Sequence, residues 1–501
     1  MIINFLLTLQ QILIKGHILR TIISILALLL LSADLLAQAP KHEIRAVWLT
    51  TLNNLDWPRS HSAYQQKLEL TNILDALQRA NINTVLLQAR VRASTIFPST
   101  TEPWDACLTG YAGQSPGYDA LQFCIDECHK RGMQCHAWVV TIPVGKWNAD
   151  GCKKLRSRYP KLIRKIGDEG YMDPEQSLTG DYLANFCREL TRRYDIDGIH
   201  LDYIRYPETW KLKVSRADGR RNITSIVRKI HDAVKAEKPW VMLSCSPVGK
   251  HDELARYRSG GWNAYTAVCQ DAQGWLREGL MDALFPMMYF QGNHFFPFAV
   301  DWKEHDYGRI VAPGLAAYML HPKERNWSLD IVVREMNVLR ELGLGITFFR
   351  SKFFTDNTKG LYTFTKDFNR QPALIPPMSW YQKPVPSPAQ KLTVVRGMTT
   401  DLLSWEGAVD HSGANYLLYN VYASDTWPVD TQDGRNIIAT RLKDCCLTVP
   451  HGGRTLNYAI TTTDRYGNES QPAESRQEKP GERKQLDFRQ LIMGRGLKKY
   501  K

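Results

Sequence analysis

A short apolar run that ends on a carboxylate constrains the fold of this chain more than any other segment. It lies within residues 194–207, and Asp202 closes it. Alternate residues of a strand share a face, so His200 and Asp202 point to one side while the intervening leucine points to the other. Parallel barrels collect their chemistry at the carboxyl ends of strands, which makes Asp202 a candidate catalytic residue. The alternative interpretation is an ion pair with Arg205 at a strand end.

Apolar runs alternate with amphipathic stretches over residues 41–370. Eight strands separated by helix-length segments are typical of the α/β class and predict a (β/α)8 TIM barrel. A doubly wound open sheet is the alternative, but no glycine-rich nucleotide loop follows the first strand. The predicted strands are residues 45–50, 84–90, 134–141, 198–203, 241–246, 283–289, 310–315 and 345–350. The predicted helices are residues 64–80, 118–131, 179–194, 222–237, 264–278 and 329–342.

The chain changes character after the predicted barrel. Residues 371–388 are rich in proline and predict a linker. Residues 389–475 carry short alternating runs around Trp405, Tyr422 and Tyr458. These runs resemble a fibronectin type III module, a small all-β sandwich in which a tryptophan anchors one sheet. Such modules space or dock domains, so we expect no chemistry from it.

The first 37 residues have the layout of a secretory signal peptide. Basic residues precede an apolar stretch, residues 21–31, and small residues follow up to Ala37. This stretch is too short for an ordinary membrane span, and no later run is long enough to be one. We therefore expect a secreted, periplasmic or cell-envelope protein with no stable membrane span after cleavage.

Part of the positive charge of the chain lies at its end. The formal net charge is +13, and the predicted basic tail, residues 476–501, holds nine Lys and Arg against three acids. A solvated tail explains this excess of positive charge. Attraction of the tail to an acidic glycan of the cell envelope is the more specific explanation. The absence of a recognisable binding module and the predicted export both disfavour nucleic acid as a partner.

The cysteine pattern predicts neither a metal site nor a defined disulfide framework. The chain has ten cysteines, and no paired Cys-x-x-Cys motifs occur. Disulfides form readily outside the cytoplasm. We nevertheless expect most of these thiols to be buried, where they behave as small hydrophobic groups. No cofactor is predicted.

A set of motifs follows the predicted barrel in a fixed order. They occupy residues 45–49, 88–90, 102–104, 108–110, 129–138, 197–207, 246–249 and 287–289. Together they resemble the glycosyl-hydrolase-like family 10, a group distinct from the family 10 xylanases. It includes a divisome-localised hydrolase that cuts peptidoglycan strands lacking stem peptides. The resemblance implies a TIM-barrel glycoside hydrolase without a redox cofactor, whose partner is a glycan polymer, with peptidoglycan strands as the expected substrate.

The chain departs from the family pattern at two positions. Many members carry Asp-Asp-Tyr at the end of the fourth strand, where this chain has Asp202 followed by Tyr203. Many also carry an aspartate shortly after the arginine of the second strand, where this chain has Ser94. An acid common in the family is therefore missing from that loop.

Glycoside cleavage usually requires two carboxyl groups, one to protonate the leaving oxygen and one to act as nucleophile or base. Asp202 is our candidate for the nucleophile or base. Glu102, in the loop after the second strand, is the candidate general acid, because burial beside Trp104 would raise its pKa. Asp252 and Glu253, after the fifth strand, are the competing candidates, and each of these acids could equally be a solvated loop residue.

Aromatic and basic side chains near the predicted strand ends could bind sugar. Aromatic faces stack on the C–H surfaces of sugars, while arginine and glutamine donate to hydroxyl or carboxylate groups. The predicted substrate-binding residues are Trp48, Gln88, Arg90, Arg92, His136, Trp138, His200, Tyr203, Arg205 and Tyr289. Packing in the barrel core is the alternative explanation for the aromatic members. Hydrolysis of another polysaccharide and non-catalytic glycan binding remain the alternative functions.

Overall fold

The computed structural model describes residues 39–475, so the predicted signal peptide and basic tail lie outside the described part of the chain. The parallel strands are β1 (Arg45–Leu49), β2 (Thr84–Arg90), β3 (Gln134–Val140), β7 (Gly198–Asp202), β8 (Met242–Cys245), β9 (Ala283–Leu284), β10 (Ile310–Val311), β11 (Gly314–Leu315) and β12 (Ile346–Phe348). The helices are α1 (Ala63–Arg79), α2 (Ala120–Lys130), α3 (Asp150–Arg158), α4 (Ser177–Arg193), α5 (Arg216–Glu237), α6 (Ala272–Arg277), α7 (Phe296–Glu304), α8 (Leu329–Glu341), α9 (Ser351–Thr355) and α10 (Leu361–Phe368).

The parallel strands form one curled sheet. Their order is β10-β9-β8-β7-β3-β2-β1-β12-β11. The two ends of this order, β10 and β11, are separated by only two residues of chain, so the sheet curls round until its ends meet in one segment. This pairing supports the predicted barrel-like α/β fold over an open doubly wound sheet.

Two of the predicted strands differ from the observed ones because of proline. The predicted strand 310–315 is divided into β10 and β11 by Pro313, and the predicted strand 283–289 ends at β9, just before Pro286. Proline has no N–H to donate to a ladder, which limits regular pairing at both places. The other six strands lie within one or two residues of their predicted limits.

The prediction of a helix over residues 264–278 is wrong for the first half of that range, because only α6 (Ala272–Arg277) forms there. The side chain of Asn263 accepts hydrogen bonds from the backbone N–H groups of Thr266 and Ala267, which fixes a turn there instead. Asp271 then caps α6 by accepting from Gly274. Within residues 39–475, no helix is both long and apolar enough to cross a membrane.

An antiparallel insertion that the sequence analysis missed follows β3. It consists of β4 (Pro143–Lys146), β5 (Ile163–Ile166) and β6 (Glu169–Met172), arranged in the order β4-β6-β5. The insertion leaves the carboxyl end of β3, so it borders the edge of the sheet where Asp202 lies.

The C-terminal strands form two antiparallel sheets. They are β13 (Gln390–Arg396), β14 (Thr400–Glu406), β15 (Leu418–Ser424), β16 (Ile437–Leu442), β17 (Cys446–Pro450), β18 (Asn457–Thr463) and β19 (Ala473–Glu474). One sheet has the order β13-β14-β17 and the other the order β16-β15-β18-β19. Their shared core contains Trp405, Tyr419 and Tyr458. We call these residues, 390–474, the C-terminal module.

The predicted linker is packed against the barrel and is not a free tether. The N–H of Leu374 donates to the carbonyl of Lys41 at 2.8 Å. Trp380 and Tyr381 donate to the carboxylate of Asp282, at 3.1 and 3.0 Å. Asp282 precedes β9, so this proline-rich segment crosses the amino-terminal ends of the strands.

A buried carboxylate, Asp197, joins the C-terminal module to the barrel. Its Oδ2 accepts from His129 at 2.8 Å and from the N–H of Cys135 at 2.9 Å, which ties the starts of β3 and β7 together. Its Oδ1 accepts from Arg441 at 2.6 Å and from Arg465 at 3.3 Å, both in the C-terminal module. Burial alone would raise the pKa of Asp197, but these cations hold it well below its usual value.

The prediction that most cysteines are buried thiols is confirmed. Eight cysteines are free and buried, while Cys445 is half-buried and Cys446 is exposed. Cys124 lies 3.9 Å from both Cys128 and Cys135, measured between Sγ atoms.

We expect Asp197→Asn to lower the free energy of unfolding by about 3 kcal/mol or more, since two arginines lose a buried counter-charge. The pKa of Asp197 is depressed in the folded state, so its contribution is present above the unfolded pKa of about 3.9 and is lost as the pH falls below it. Denaturant unfolding at several pH values measures both effects. The difference in the free energy of unfolding between wild type and variant should be constant above about pH 5 and should become smaller in acid.

Asp168→Asn is the matched control, because the Asp168–Lys146 pair is exposed, with the aspartate side chain 77% accessible. Exposed pairs contribute less than about 1 kcal/mol, so this variant should unfold almost as wild type does. Equal effects of the two substitutions would contradict the role given to Asp197.

Candidate functional site

Asp202 ends β7 and is held by donors from both neighbouring strands. Its Oδ1 accepts from the hydroxyl of Ser246 at 2.8 Å, just beyond β8, and its Oδ2 accepts from the indole N–H of Trp138 at 3.1 Å, on β3. Burial raises the pKa of Asp202, and the hydrogen bond from Ser246 and the charge of Arg205 offset this only in part. A fixed carboxyl group with a raised pKa, at the carboxyl end of a barrel strand, is suited to proton transfer.

The next residue turns the chain back onto this carboxyl group. Tyr203 has a φ of 54°, in the left-handed region that non-glycine residues rarely adopt. In this conformation its backbone N–H donates to Oδ1 of Asp202 at 2.9 Å. Such strained backbone is concentrated at functional sites, where the surrounding structure maintains it.

Trp48 and His200 lie below Asp202 in the interior of the sheet. The indole of Trp48 donates to Nε2 of His200 at 3.1 Å, and Nδ1 of His200 contacts the hydroxyl of Ser244 at 3.0 Å. The two rings pack edge-on against each other and against Phe285. Burial keeps the pKa of His200 well below its usual value, so the ring is neutral. The prediction that these two residues bind substrate is not supported, because both are core residues.

Glu102 lies in the helix layer and not beside Asp202. Arg90 donates to it through Nε at 2.9 Å and Nη2 at 2.7 Å, and Tyr182 of α4 donates to it at 2.8 Å. The side chains of Arg90 and Glu102 are both fully buried. Both oxygens of Glu102 are thus bonded to a buried cation, which argues against Glu102 as the general acid and against Arg90 as a sugar ligand.

A bulge in β2 explains this placement. Gln88 pairs with Trp138, but Arg90 pairs with Val139, so two steps along β2 correspond to one step along β3. Such a bulge reverses the side on which the following residue lies. Gln88 therefore keeps the interior side, while Arg90 turns outward toward Phe186 of α4, 5.5 Å from its guanidinium carbon.

Gln88 and His136 also have structural roles. The side-chain oxygen of Gln88 accepts from the N–H groups of Thr51 and Leu52, at 3.0 and 2.8 Å, and so holds the loop after β1. His136 pairs with Gly198 at the start of β7, far from the carboxyl end, and a Cβ on that glycine would lie only 2.5 Å from its ring. Burial lowers the pKa of His136 to about 4. Neither residue is placed to contact substrate.

Of the remaining predicted ligands, Arg205 and Tyr289 lie near Asp202, and Arg92 lies close enough for its charge to act on the neighbouring Tyr203. The guanidinium of Arg205 lies 4.7 Å from the ring of Tyr203. Burial is the main cause of the raised pKa of Tyr289, and the charge of Asp202 is the next. Arg92 is half-buried, lies 3.4 Å from Glu169 of β6, and has a φ of 67°. With Trp138, these side chains form a rim of aromatic and basic groups round one carboxyl group.

Sequence reasoning missed three residues of this rim. Ser246 belongs to a motif that was noticed but given no role, and Trp262 and Glu208 were not considered. Trp262 is 41% exposed and lies 5.0 Å from the guanidinium of Arg205, while Glu208 accepts from Arg205 Nη2 at 3.0 Å. The Arg205–Glu208 spacing of three residues was a signal that could have identified the pair.

Asp252 and Glu253, the competing candidate acids after β8, bind groups of their own loop. Glu253 accepts from the N–H and hydroxyl of Ser259, at 2.6 and 3.0 Å, and Asp252 accepts from the N–H of Glu253 at 2.9 Å. In the loop after β2, the hydroxyl of Ser94 donates to Asp105. Where many family members place an acid, this chain thus has a serine bound to a different acid.

Two groups of side chains in the described residues have ligand atoms close enough to hold a metal ion. Cys124, Cys128 and Cys135 are enclosed between α2 and β3, and Asp301, Glu304 and His305 follow one another along α7. Neither group contains a residue of the rim round Asp202. A cavity of about 430 Å³ lies elsewhere, on the outer face of α4.

We expect Glu102→Gln to act on stability, since it leaves the buried charge of Arg90 without its counter-charge. The free energy of unfolding should fall by about 3–5 kcal/mol, while turnover per folded molecule changes little. Denaturant unfolding and activity, each corrected for the folded fraction, measure this. Glu406→Gln, which removes an exposed pair with Lys391, is the control and should cost less than about 1 kcal/mol. Unchanged stability with selective loss of activity on unactivated glycan would restore Glu102 as the general acid.

Comparisons with known proteins find glycosyl hydrolases among the similar sequences and structures. The family model described as "Glycosyl hydrolase-like 10" matches residues 43–314. The Glycosyl hydrolase YngK of Bacillus subtilis is 27% identical over 91% of this chain and 98% of its own length. The Glycosyl hydrolase DigH of Escherichia coli is 32% identical over 50% of this chain and 67% of its own length. Among solved structures, the PgaB (BpsB) glycoside hydrolase domain of Bordetella bronchiseptica is similar, with a TM-score of 0.48 and 14% identity over 65% of this chain and 98% of that domain.

The family match covers more than half of the chain and contains all the residues that hold Asp202. The prediction of a glycoside hydrolase is thereby confirmed at the level of enzyme class. The chain belongs to the glycosyl hydrolase-like 10 family.

Proposed function

We propose that this protein is an exported hydrolase that cleaves the O-glycosidic bonds of a cell-envelope glycan, namely peptidoglycan glycan strands. The observation that carries the proposal is the buried carboxyl group of Asp202, fixed by Ser246, Trp138 and the backbone of Tyr203 at the carboxyl end of β7. Barrel hydrolases place their catalytic carboxyl groups at this end of the sheet.

The charge and shape of the rim favour an anionic polymer. Tyr203, Trp262 and Tyr289 offer aromatic faces for sugar rings, and Arg92 and Arg205 offer positive charge beside Asp202. Peptidoglycan strands without stem peptides carry a free carboxylate on each muramic acid unit. Such a strand therefore supplies both the apolar sugar faces and the negative charge that this rim would bind.

Export is part of the proposal and depends on segments outside the described residues. The first 37 residues have the charge and hydropathy pattern of a signal peptide, and residues 476–501 are strongly basic. A basic tail would attract a polyanionic cell-envelope polymer through long-range electrostatics.

The C-terminal module is proposed to be a fibronectin type III-like sandwich with a docking role. Its three-stranded and four-stranded antiparallel sheets and its core tryptophan support this assignment. Its arginines bind Asp197 at the amino-terminal ends of the strands, opposite the rim round Asp202. We therefore assign it no contact with the scissile bond.

A non-catalytic glycan-binding protein is the second candidate. It is favoured by one observation: Glu102, the expected proton donor, is committed to Arg90 and Tyr182. A hydrolase for a different polysaccharide uses the same site and differs only in the polymer that fits the rim.

We expect Asp202→Asn to abolish hydrolysis of denuded peptidoglycan strands while the protein stays folded. Asparagine preserves the shape and several hydrogen bonds of the side chain, but it cannot exchange a proton with the substrate, so turnover should fall by at least about 100-fold. Release of reducing ends from purified strands measures turnover, and thermal unfolding checks the fold. Strands with intact stem peptides, chitin oligosaccharides and neutral polysaccharides form the comparison panel.

The outcomes of this panel separate the three functions. Cleavage of denuded strands by wild type and not by the variant supports the proposal, whereas cleavage of only a neutral polysaccharide identifies another substrate. Strand binding that is equal in both proteins, with no product from either, would establish the non-catalytic candidate. Unchanged turnover in the variant would remove Asp202 from the mechanism.

A further inference from the structure

Asp202 lacks an evident carboxyl partner, although glycoside cleavage generally uses two such groups. Glu102 is locked to Arg90 in the helix layer, and Glu253 is used to hold its own loop. Asp105 is likewise occupied, by the hydroxyl of Ser94 and the N–H of Cys107. The second group must therefore be sought among acids that remain accessible at the carboxyl ends of the strands.

Glu208 meets this requirement. It lies six residues after Asp202, in the loop that leaves the carboxyl end of β7, and its side chain is 47% exposed. It forms an ion pair with Arg205, whose Nη2 donates to one carboxylate oxygen at 3.0 Å. The other oxygen remains able to accept a proton from water or substrate.

Arg205 links Glu208 to Asp202. The positive charge of Arg205 acts on both carboxyl groups. It partly offsets the effect of burial on the pKa of Asp202. Burial is also the largest single influence on the pKa of Glu208 and would raise it, but the charge and hydrogen bond of Arg205, with a backbone hydrogen bond, together lower it. Burial raises the pKa of Tyr203, and the charges of Asp202 and Glu208 add to this effect. The two carboxyl groups thus lie at the end of β7 and in the loop that follows it, and they share Arg205 as a neighbouring positive charge.

The guanidinium of Arg205 also has N–H donors that Glu208 does not use. It is sandwiched between the rings of Tyr203 and Trp262, at 4.7 and 5.0 Å, and the whole residue is 2% exposed. Among the described residues, its Nε and Nη1 atoms are buried without a hydrogen-bond partner. Buried donors of this kind require an oxygen acceptor, and a water molecule or a substrate hydroxyl supplies one.

We infer that Glu208 is the catalytic base, that Asp202 is the general acid, and that Arg205 positions the attacking water between them; this assignment rests on the proposed function. Glu208 takes a proton from the water as its oxygen bonds to the anomeric carbon. The glycosidic C–O bond breaks in the same step, and the leaving oxygen takes the proton of Asp202. Exchange with solvent then returns one proton to Asp202 and removes one from Glu208.

The opposite electrostatic environments of the two acids support this division of roles. Burial raises the pKa of Asp202, which favours the protonated form, and Arg205 lowers the pKa of Glu208, which favours the ionised form. Two carboxyl groups whose pKa values are pushed apart form an acid–base pair. Because the guanidinium of Arg205 is bonded to Glu208 and acts on Asp202 only through its charge, we expect room for a water molecule between the two acids. We therefore expect inversion at the anomeric carbon, the outcome for carboxyl groups roughly 6.5–9.5 Å apart.

The test compares Glu208→Gln with Glu169→Gln on denuded peptidoglycan strands. Glu169 is the matched control, because it lies close to the same region but is bound by Tyr171 at 2.8 Å and Arg92 at 3.4 Å. Glu208→Gln should lower kcat at least about 100-fold with little change in KM, and Glu169→Gln should lower it less than about threefold. Equal effects on kcat, or full activity of Glu208→Gln, would overturn the assignment.

Glu208→Ala with added sodium azide distinguishes a catalytic base from a structural residue. Azide needs no base and fits the space that alanine opens, so it should restore strand cleavage and give a glycosyl azide of inverted configuration. Nuclear magnetic resonance of the products of azide rescue and of wild-type hydrolysis reports the configuration in each case. Retention of configuration, or loss of activity that azide does not restore, would overturn the assignment. If wild-type protein fails to cut the strands, the proposed substrate fails, and the same variants are then compared on whichever polymer of the panel is cleaved.

Discussion

Strand β7 carries a buried carboxylate at each end, and most of the architecture is arranged round these two groups. Asp197, just before the strand, joins β3 to β7 and receives two arginines of the C-terminal module. Asp202, about 17 Å further along at the usual rise per residue, is held by neutral donors from β3 and β8. The paired charges at the first acid favour its ionised form, whereas burial among neutral donors raises the pKa of the second. One acid is therefore structural and the other is available for proton transfer.

The alternation of residues along a strand was enough to predict much of this, but it failed where the strand is irregular. Along β7 the alternation holds, and His200 and Asp202 do share the interior side. Along β2 the bulge after Gln88 turns Arg90 outward, and Glu102 follows it into the helix layer. A bulge leaves the composition of a strand unchanged, so no pattern in residues 84–90 could have signalled it. The placement of Glu102 beside Arg90, away from Asp202, follows from that single irregularity.

Depth along the strand is the second property that sequence could not supply. His136 lies near the start of β3 and His200 in the middle of β7, so both are out of reach of a substrate at the carboxyl ends. The motif containing His129 and the motif beginning at Asp197 drew attention as possible active-site elements. Only the first residues of these motifs, His129 and Asp197, belong to the surface to which the C-terminal module docks, whereas Trp138 and Asp202 in the same motifs lie at the candidate site. The arginine that completes this surface, Arg441, lies 244 residues away in the chain, and only the folded structure brings it to Asp197.

The loop after β7 depends on having an arginine at position 205. A lysine ammonium is a compact point charge, whereas a guanidinium is flat and presents donors along its edge in several directions. Stacked between Tyr203 and Trp262, Arg205 can bond Glu208 through Nη2 while Nε and Nη1 remain free for another oxygen. The two rings fix the plane of the guanidinium, and that plane sets the directions of the donors. A buried acid and an exposed acid are thus coupled through a single cation.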